Sequence, residues 1–183
     1  MQMEIIVSTP CAAWLTDLPD AAATGERVVA AALAAALDPA SRNRAVLNRA
    51  VVEVGVMLTD NTGIRRLNRE YRHQDRATNV LSFAGDGVTG PAHDGPLLLG
   101  DIVLAHGVLC AEAKARGKTL NAHYCHLLVH GTLHLLGHDH DNEGDAAAME
   151  AREIAILAGL GIADPYQLAA AEFDRLRRLS GLQ

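Results

Sequence analysis

Aromatic residues are scarce in this chain of 183 residues: one Trp, three Tyr and two Phe, 3% of the total. A base-stacking platform of the RRM or OB kind needs several aromatics on one sheet face, so that mode of RNA binding is disfavoured. Cysteine is also sparse. Cys11, Cys110 and Cys125 are widely spaced and form no C-x-x-C pair, which gives neither a disulfide framework nor a thiolate zinc motif. They read as buried free thiols in a reducing compartment. No apolar run is long enough to span a bilayer, since the Ala-rich stretch Val28 to Leu37 is too short, and MQMEIIVS lacks a basic segment followed by an apolar one. The expectation is a soluble, cytoplasmic protein with no membrane partner. Positive charge is lacking overall: the formal net charge is −6, unlike that of a general nucleic-acid binder. The exception is residues 42–76, where eight arginines meet four acids between acidic flanks. Arg65, Arg69, Arg72 and Arg76 follow helical spacing there. Most such stripes are solvated helix faces, although the planar fork of arginine suits phosphate.

The length suits one domain over residues 1–183 with a substantial core. Alternation and β-branching predict strands at Glu4 to Ser8, Ala50 to Thr59, Asn79 to Phe83 and Leu97 to Ala105. Helical patterns and caps predict helices at Asp20 to Leu37, from Asp60 or Thr62 to about Tyr71, His106 to Arg116, from Thr119 or Asn121 to Leu136, Asp145 to Leu160, and Pro165 to Leu179. Ala84 to Pro96, rich in Gly, Pro and Asp, is the long loop. The expected fold class is α+β: a small mixed four-stranded sheet packed with helices. Gly100 and Asp101 suggest a strand bulge, with Asp101 hydrogen-bonded to nearby backbone.

The most informative stretch is HGTLHLLGHDH, residues 130–140. His130 and His134, four apart on a helix, aim two imidazoles at one point. Gly137 ends the helix in a left-handed conformation, and the returning chain delivers His140. Three imidazoles with an open fourth position are the donor set of a catalytic zinc site, on a metzincin-like helix. One zinc ion is the expected cofactor, and nickel or another divalent ion also suits imidazole. The spacing is that of the metzincin peptidases, but their general base, a Glu after the first His, is here Gly131. Peptide hydrolysis by that route is therefore disfavoured. His126 lies eight residues from His134, about 12 Å along the axis, too far to share one ion. It reads as a packed or supporting histidine, His123 as a surface one and His138 as solvated. Asp139 is a candidate to orient a ligand imidazole or to hold a metal-bound water.

A second set of residues precedes this motif: Leu67-Asn68-Arg69-Glu70-Tyr71-Arg72, then Asp75, Thr78-Asn79-Val80-Leu81-Ser82-Phe83, and Leu99-Gly100-Asp101-Ile102-Val103. With the histidines they resemble the YbeY family of bacterial metal-dependent endoribonucleases, over about Leu67 to His140. Where that family usually carries Asp, this chain has Asn79. The resemblance implies single-strand-specific RNA cleavage, action in maturing the 3′ end of 16S ribosomal RNA and in ribosome quality control, and ribosomal RNA and small-subunit components as partners. It maps the metal ligands onto His130, His134 and His140 and a phosphate-contacting arginine onto Arg72. A metal there would activate water and polarise a phosphoryl oxygen, with Arg72 clamping the scissile phosphate. The RNA 2′-hydroxyl is an alternative nucleophile. Two rival readings stay open at this point: a zinc hydrolase of peptides or small amides, and a ribosome-assembly factor with a structural metal.

Overall fold

The computed structural model describes residues 1–37, 46, 49–85, 95–140 and 142–167. Ten elements lie among the described residues: β1 (Gln2–Ser8), α1 (Ala13–Asp17), α2 (Ala21–Ala36), β2 (Val51–Thr59), α3 (Asn61–Arg72), β3 (Val80–Ala84), β4 (Leu97–Ala105), α4 (His106–Ala115), α5 (Leu120–Leu135) and α6 (Glu143–Gly159). The α+β class and the mixed four-stranded sheet are as the sequence predicts. The short helix α1 is an addition that periodicity does not reveal in five residues. Most of the predicted helix from Pro165 to Leu179 lies outside the described residues, and Pro165 to Gln167 form a turn. Much of the predicted loop from Ala84 to Pro96 lies outside them too. Among the described residues no helix is long and apolar enough to cross a membrane.

The strand order is β1-β2-β4-β3. β1 pairs with β2 and β2 with β4 in parallel, and β3 runs antiparallel to β4 at the edge. Glu53 opposes Leu98 while Val54 opposes Gly100, so Leu99 is the extra residue of a bulge. Gly100 makes it feasible. Its φ is +140°, and a Cβ there would meet the Phe83 carbonyl oxygen at 2.1 Å. Asp101 differs from expectation: it is exposed and leans over Gly55 on the far side of the sheet.

One face of the sheet carries α2 and α5, with α6 packed on α5. Trp14, Val28, Leu33, Val54, Leu99, Ile102, Leu128 and Leu133 fill this core. Eleven of the sixteen residues of α5 are buried, so its histidines must find partners inside the protein. The opposite face is partly covered by α3, where Ile64 and Leu67 meet Leu81, Val103 and Ala105.

α3 begins at Asp60, whose carboxylate accepts the Gly63 amide at 2.7 Å, and ends at His73 in a left-handed conformation. The arginine stripe therefore stops at Arg72, because Arg76 lies past the helix end. Buried Asn68 ties the following turn by donating to the Arg76 carbonyl at 2.8 Å. Arg65 makes two bonds to Asp75, at 2.9 and 2.8 Å, on the exposed surface, and so is engaged within the protein.

Candidate metal centre

α5 is anchored at both ends by local chemistry. Thr119 caps its start, its hydroxyl accepting the Ala122 amide at 3.1 Å. At its end Gly137 adopts φ +79°. The His138 amide donates to Leu133 O at 3.0 Å and the Gly137 amide to His134 O at 2.9 Å, the paired bonds of a Schellman motif. This reversal carries His140 back beside the helix. The ring centroids of His130, His134 and His140 lie 4.5 to 5.8 Å apart, and one ring nitrogen from each lies within 4.8 Å of the other two.

The residue that organises the cluster is Glu153 of α6, which composition and motif reading overlooked. It is fully buried. His130 Nδ1 lies 2.8 Å from its Oε1 and His126 Nε2 2.9 Å from its Oε2, and the Tyr166 hydroxyl donates to Oε2. Burial pushes the Glu153 carboxyl up, but hydrogen bonds from His126, His130 and Tyr166 outweigh it and hold it at about 2. An ionised carboxylate only accepts, so both imidazoles present N–H to it. The proton of His130 is thereby fixed on Nδ1, leaving the Nε2 lone pair free for a cation. His134 Nε2 lies 3.1 Å from that atom, against about 3.3 Å for two nitrogens on one tetrahedral zinc. Burial, then the neighbouring His130 and His140, push His134 down, favouring the neutral form that coordinates metal. The donor set thus fits a divalent ion. The signal for Glu153 was in the sequence: Met149, Glu153, Ile156 and Leu157 follow the spacing of a buried helix face, and one acid interrupts that apolar stripe.

The other histidines correct two expectations. His123 is buried, not on the surface, and its Nε2 contacts Glu112 Oε2 at 2.7 Å. Glu112 also accepts from Asn79 Nδ2 at 3.1 and 3.3 Å, while Asn79 Oδ1 accepts the Val80 amide at 2.7 Å. Asn79 therefore links β3, α4 and α5, and its amide supplies donors that an ionised Asp lacks. His138 is half-buried rather than solvated, and its Nε2 has no hydrogen-bond partner among the described residues. His126 packs and supports, as its spacing suggests.

Gly131 has a steric reason. A Cβ there would meet Ile102 Cγ2 at 2.9 Å and Ser82 Oγ at 3.1 Å. α5 lies so close to β3 and β4 at this point that the peptidase glutamate has no room. Asp139 is exposed, and its Oδ1 accepts the His140 amide at 2.8 Å, not an imidazole. Its charge faces His134 and favours that ring's protonated form. Arg72 is exposed at the end of α3, where it donates to the Ser82 carbonyl at 3.4 Å. Ser82 is the residue opposite Gly131, so Arg72 lies one strand away from the metal helix. A cavity of about 290 Å³ opens beside His130 and His140, walled by Met149, Glu150, Glu153 and Tyr166. The larger cleft, about 970 Å³, lies against the far face of the sheet by Ile6, Met57, Phe83 and Asp101 and contains none of these histidines.

Fold and site together define an α+β protein that presents three converging imidazoles able to hold a divalent metal. The family model for endoribonuclease YbeY matches residues 21–161. Relatives carrying that name include one from Paramagnetospirillum magneticum, 48% identical over 90% of this chain and 96% of the relative. Another, from Sphingopyxis alaskensis, is 47% identical over 87% and 96%, and one from Rhodopseudomonas palustris is 44% identical over 94% and 83%. A Thermotoga maritima protein solved in solution is similar over 91% of this chain and 99% of its own, with 19% identity and a TM-score of 0.46. The chain belongs to the YbeY endoribonuclease family.

Proposed function

We propose that this protein is a metal-dependent endoribonuclease, one hydrolase domain over residues 1–183, that cleaves single-stranded RNA in the cytoplasm. Its place is in maturing the 3′ end of 16S ribosomal RNA and in ribosome quality control, with ribosomal RNA and small-subunit proteins as partners. The observation that carries the reading is the convergence of His130, His134 and His140, with His130 oriented by a buried carboxylate, in a chain whose relatives are named endoribonucleases.

His130, His134 and His140 would hold the ion, zinc by preference and nickel or another divalent metal as the alternative. When bound, the ion supplies Lewis acidity, which activates water and polarises a phosphoryl oxygen. The chain's own residues supply the rest. Glu153 fixes the tautomer and direction of His130. Asp139 holds the backbone at His140 and places negative charge beside His134. Arg72 binds the scissile phosphate and offsets charge as the bond breaks.

Two observations favour this over its rivals. The crowding at Gly131 leaves no room for a peptidase base, against a peptide or amide substrate. The cluster has three members among the described residues, whereas structural zinc sites take four protein ligands. The test is a labelled single-stranded RNA digest set beside a casein digest, with metal content measured on wild type and Arg72→Ala. RNA cleavage without proteolysis, lost on Arg72→Ala with metal retained, supports the proposal. Proteolysis, or full cleavage by Arg72→Ala, overturns the substrate assignment or the role of Arg72.

A further inference from the structure

Beside the buried ring of Trp14, three potential ligands meet that the nuclease reading does not use. Asp17 ends α1, His106 begins α4, and Cys110 lies one turn further along α4. One ligand atom from each falls within 4.8 Å of the other two. Asp17 Oδ2 lies 2.9 Å from His106 Nε2. Cys110 Sγ lies 3.6 Å from the same nitrogen and 3.9 Å from Nδ1. A nucleophilic Cys-His-Asp relay places thiol and carboxylate on opposite nitrogens of the imidazole. Here the carboxylate takes Nε2 and the sulfur lies beside the ring, nearly equidistant from both nitrogens, so the three groups form a cluster instead of a chain.

The Nε2–Sγ separation is that of two ligands on one cation, and a turn of the Cys110 side chain brings the sulfur from beside the ring to the front of Nε2. A nitrogen and a thiolate on one tetrahedral zinc lie about 3.6 Å apart, given bonds of roughly 2.0 and 2.3 Å. The support is rigid. Buried Trp14 sets its ring edge-on to His106, with centroids 5.3 Å apart, and donates its indole N–H to the Thr59 carbonyl at 3.0 Å. The start of α4 is held by Asn61 of α3, whose side-chain oxygen accepts the Val108 amide at 3.1 Å. Trp14 also packs on Tyr124 in α5, ten residues before His134 and so about 15 Å from it along that helix. The cluster is therefore separate from the three-histidine centre. Burial, then Asp17, raise the Cys110 thiol. The thiol is thus no activated nucleophile, and a bound cation would compensate the thiolate.

We propose that Asp17, His106 and Cys110 form a second site, for a thiophilic divalent cation such as zinc, which ties α1 to the start of α4. Three protein ligands leave one coordination position for solvent.

Cobalt(II) titration of the full chain tests this, because a thiolate ligand gives a near-ultraviolet charge-transfer band that a site made only of histidines does not. The band is expected in wild type and in His134→Ala. It should vanish in Cys110→Ser and weaken severalfold in Asp17→Asn, whose half-exposed position puts folding at little risk. Cys11→Ser should retain it. Zinc stoichiometry should fall by one ion per chain in Cys110→Ser, whatever the three-histidine centre binds. Absence of the band in wild type, or its survival in Cys110→Ser, overturns the second site and leaves the nuclease centre untouched.

Discussion

Replacing Glu153 by Ala removes the acceptor for His126, His130 and Tyr166 at once. Breaking a buried charge network by deleting one partner costs about 3–5 kcal/mol, because the remaining polar groups stay buried without partners. That is a large share of the stability of a domain this size, so chemical denaturation of the metal-free protein should show a midpoint well below wild type. Glu153→Gln is gentler. Its oxygen still accepts His130 Nδ1–H, and its amide can donate to a His126 that shifts its proton to the other nitrogen. About 1–3 kcal/mol should be lost, the cost of one poorly satisfied buried group. The two variants should also part in metal affinity. With His130 no longer held, Glu153→Ala should bind zinc roughly 10–100-fold more weakly in a chelator competition, and Glu153→Gln by less. Wild-type stability and wild-type affinity in Glu153→Ala would refute the assignment of Glu153 as the organiser of the centre.

Other outcomes follow from the same geometry. Lowering the pH of metal-free protein removes the contribution of Glu153: its carboxyl is depressed from 4.5 to about 2 in the fold, so that contribution is complete above pH 4.5 and lost as pH falls toward 2. The lost stability is about 3 kcal/mol, and Glu153→Gln should flatten the acid limb of a stability–pH profile. Gly131→Ala forces a Cβ against Ile102 and Ser82 and should cost about 1–3 kcal/mol by denaturation; an unchanged midpoint would mean that α5 lies further from the sheet. Asn79→Asp places a second carboxylate against Glu112 and should lower the melting temperature at neutral pH; equal melting temperatures would contradict the link through Glu112.

Much of this arrangement was legible in the sequence for physical reasons. The strands declare themselves through β-branched alternation, and the metal helix through histidines four apart and a terminating glycine. Gly137 does what its position demands, closing the helix so that His140 returns. What the sequence withheld is long-range. His123 sits on a helix that looks amphipathic, but neighbours surround α5, and no local pattern reveals that Glu112, eleven residues earlier, supplies its partner. Glu153 comes to His130 across twenty-three residues, and its only local trace is an acid within an apolar stripe. The bulge beside Asp101 suggests backbone partners for it, but strand alternation turns it to the other face. α1 was too short for periodicity to register, yet it supplies both Trp14 and Asp17.

The most direct test of the central claim is RNA cleavage by chelator-stripped protein across a titration of added zinc. Cleavage should be absent in the stripped protein and rise with zinc to saturation in wild type, and it should stay absent at every zinc concentration in His130→Ala. Full cleavage by stripped wild type, or restoration of His130→Ala by zinc, would contradict a nuclease built on three converging imidazoles.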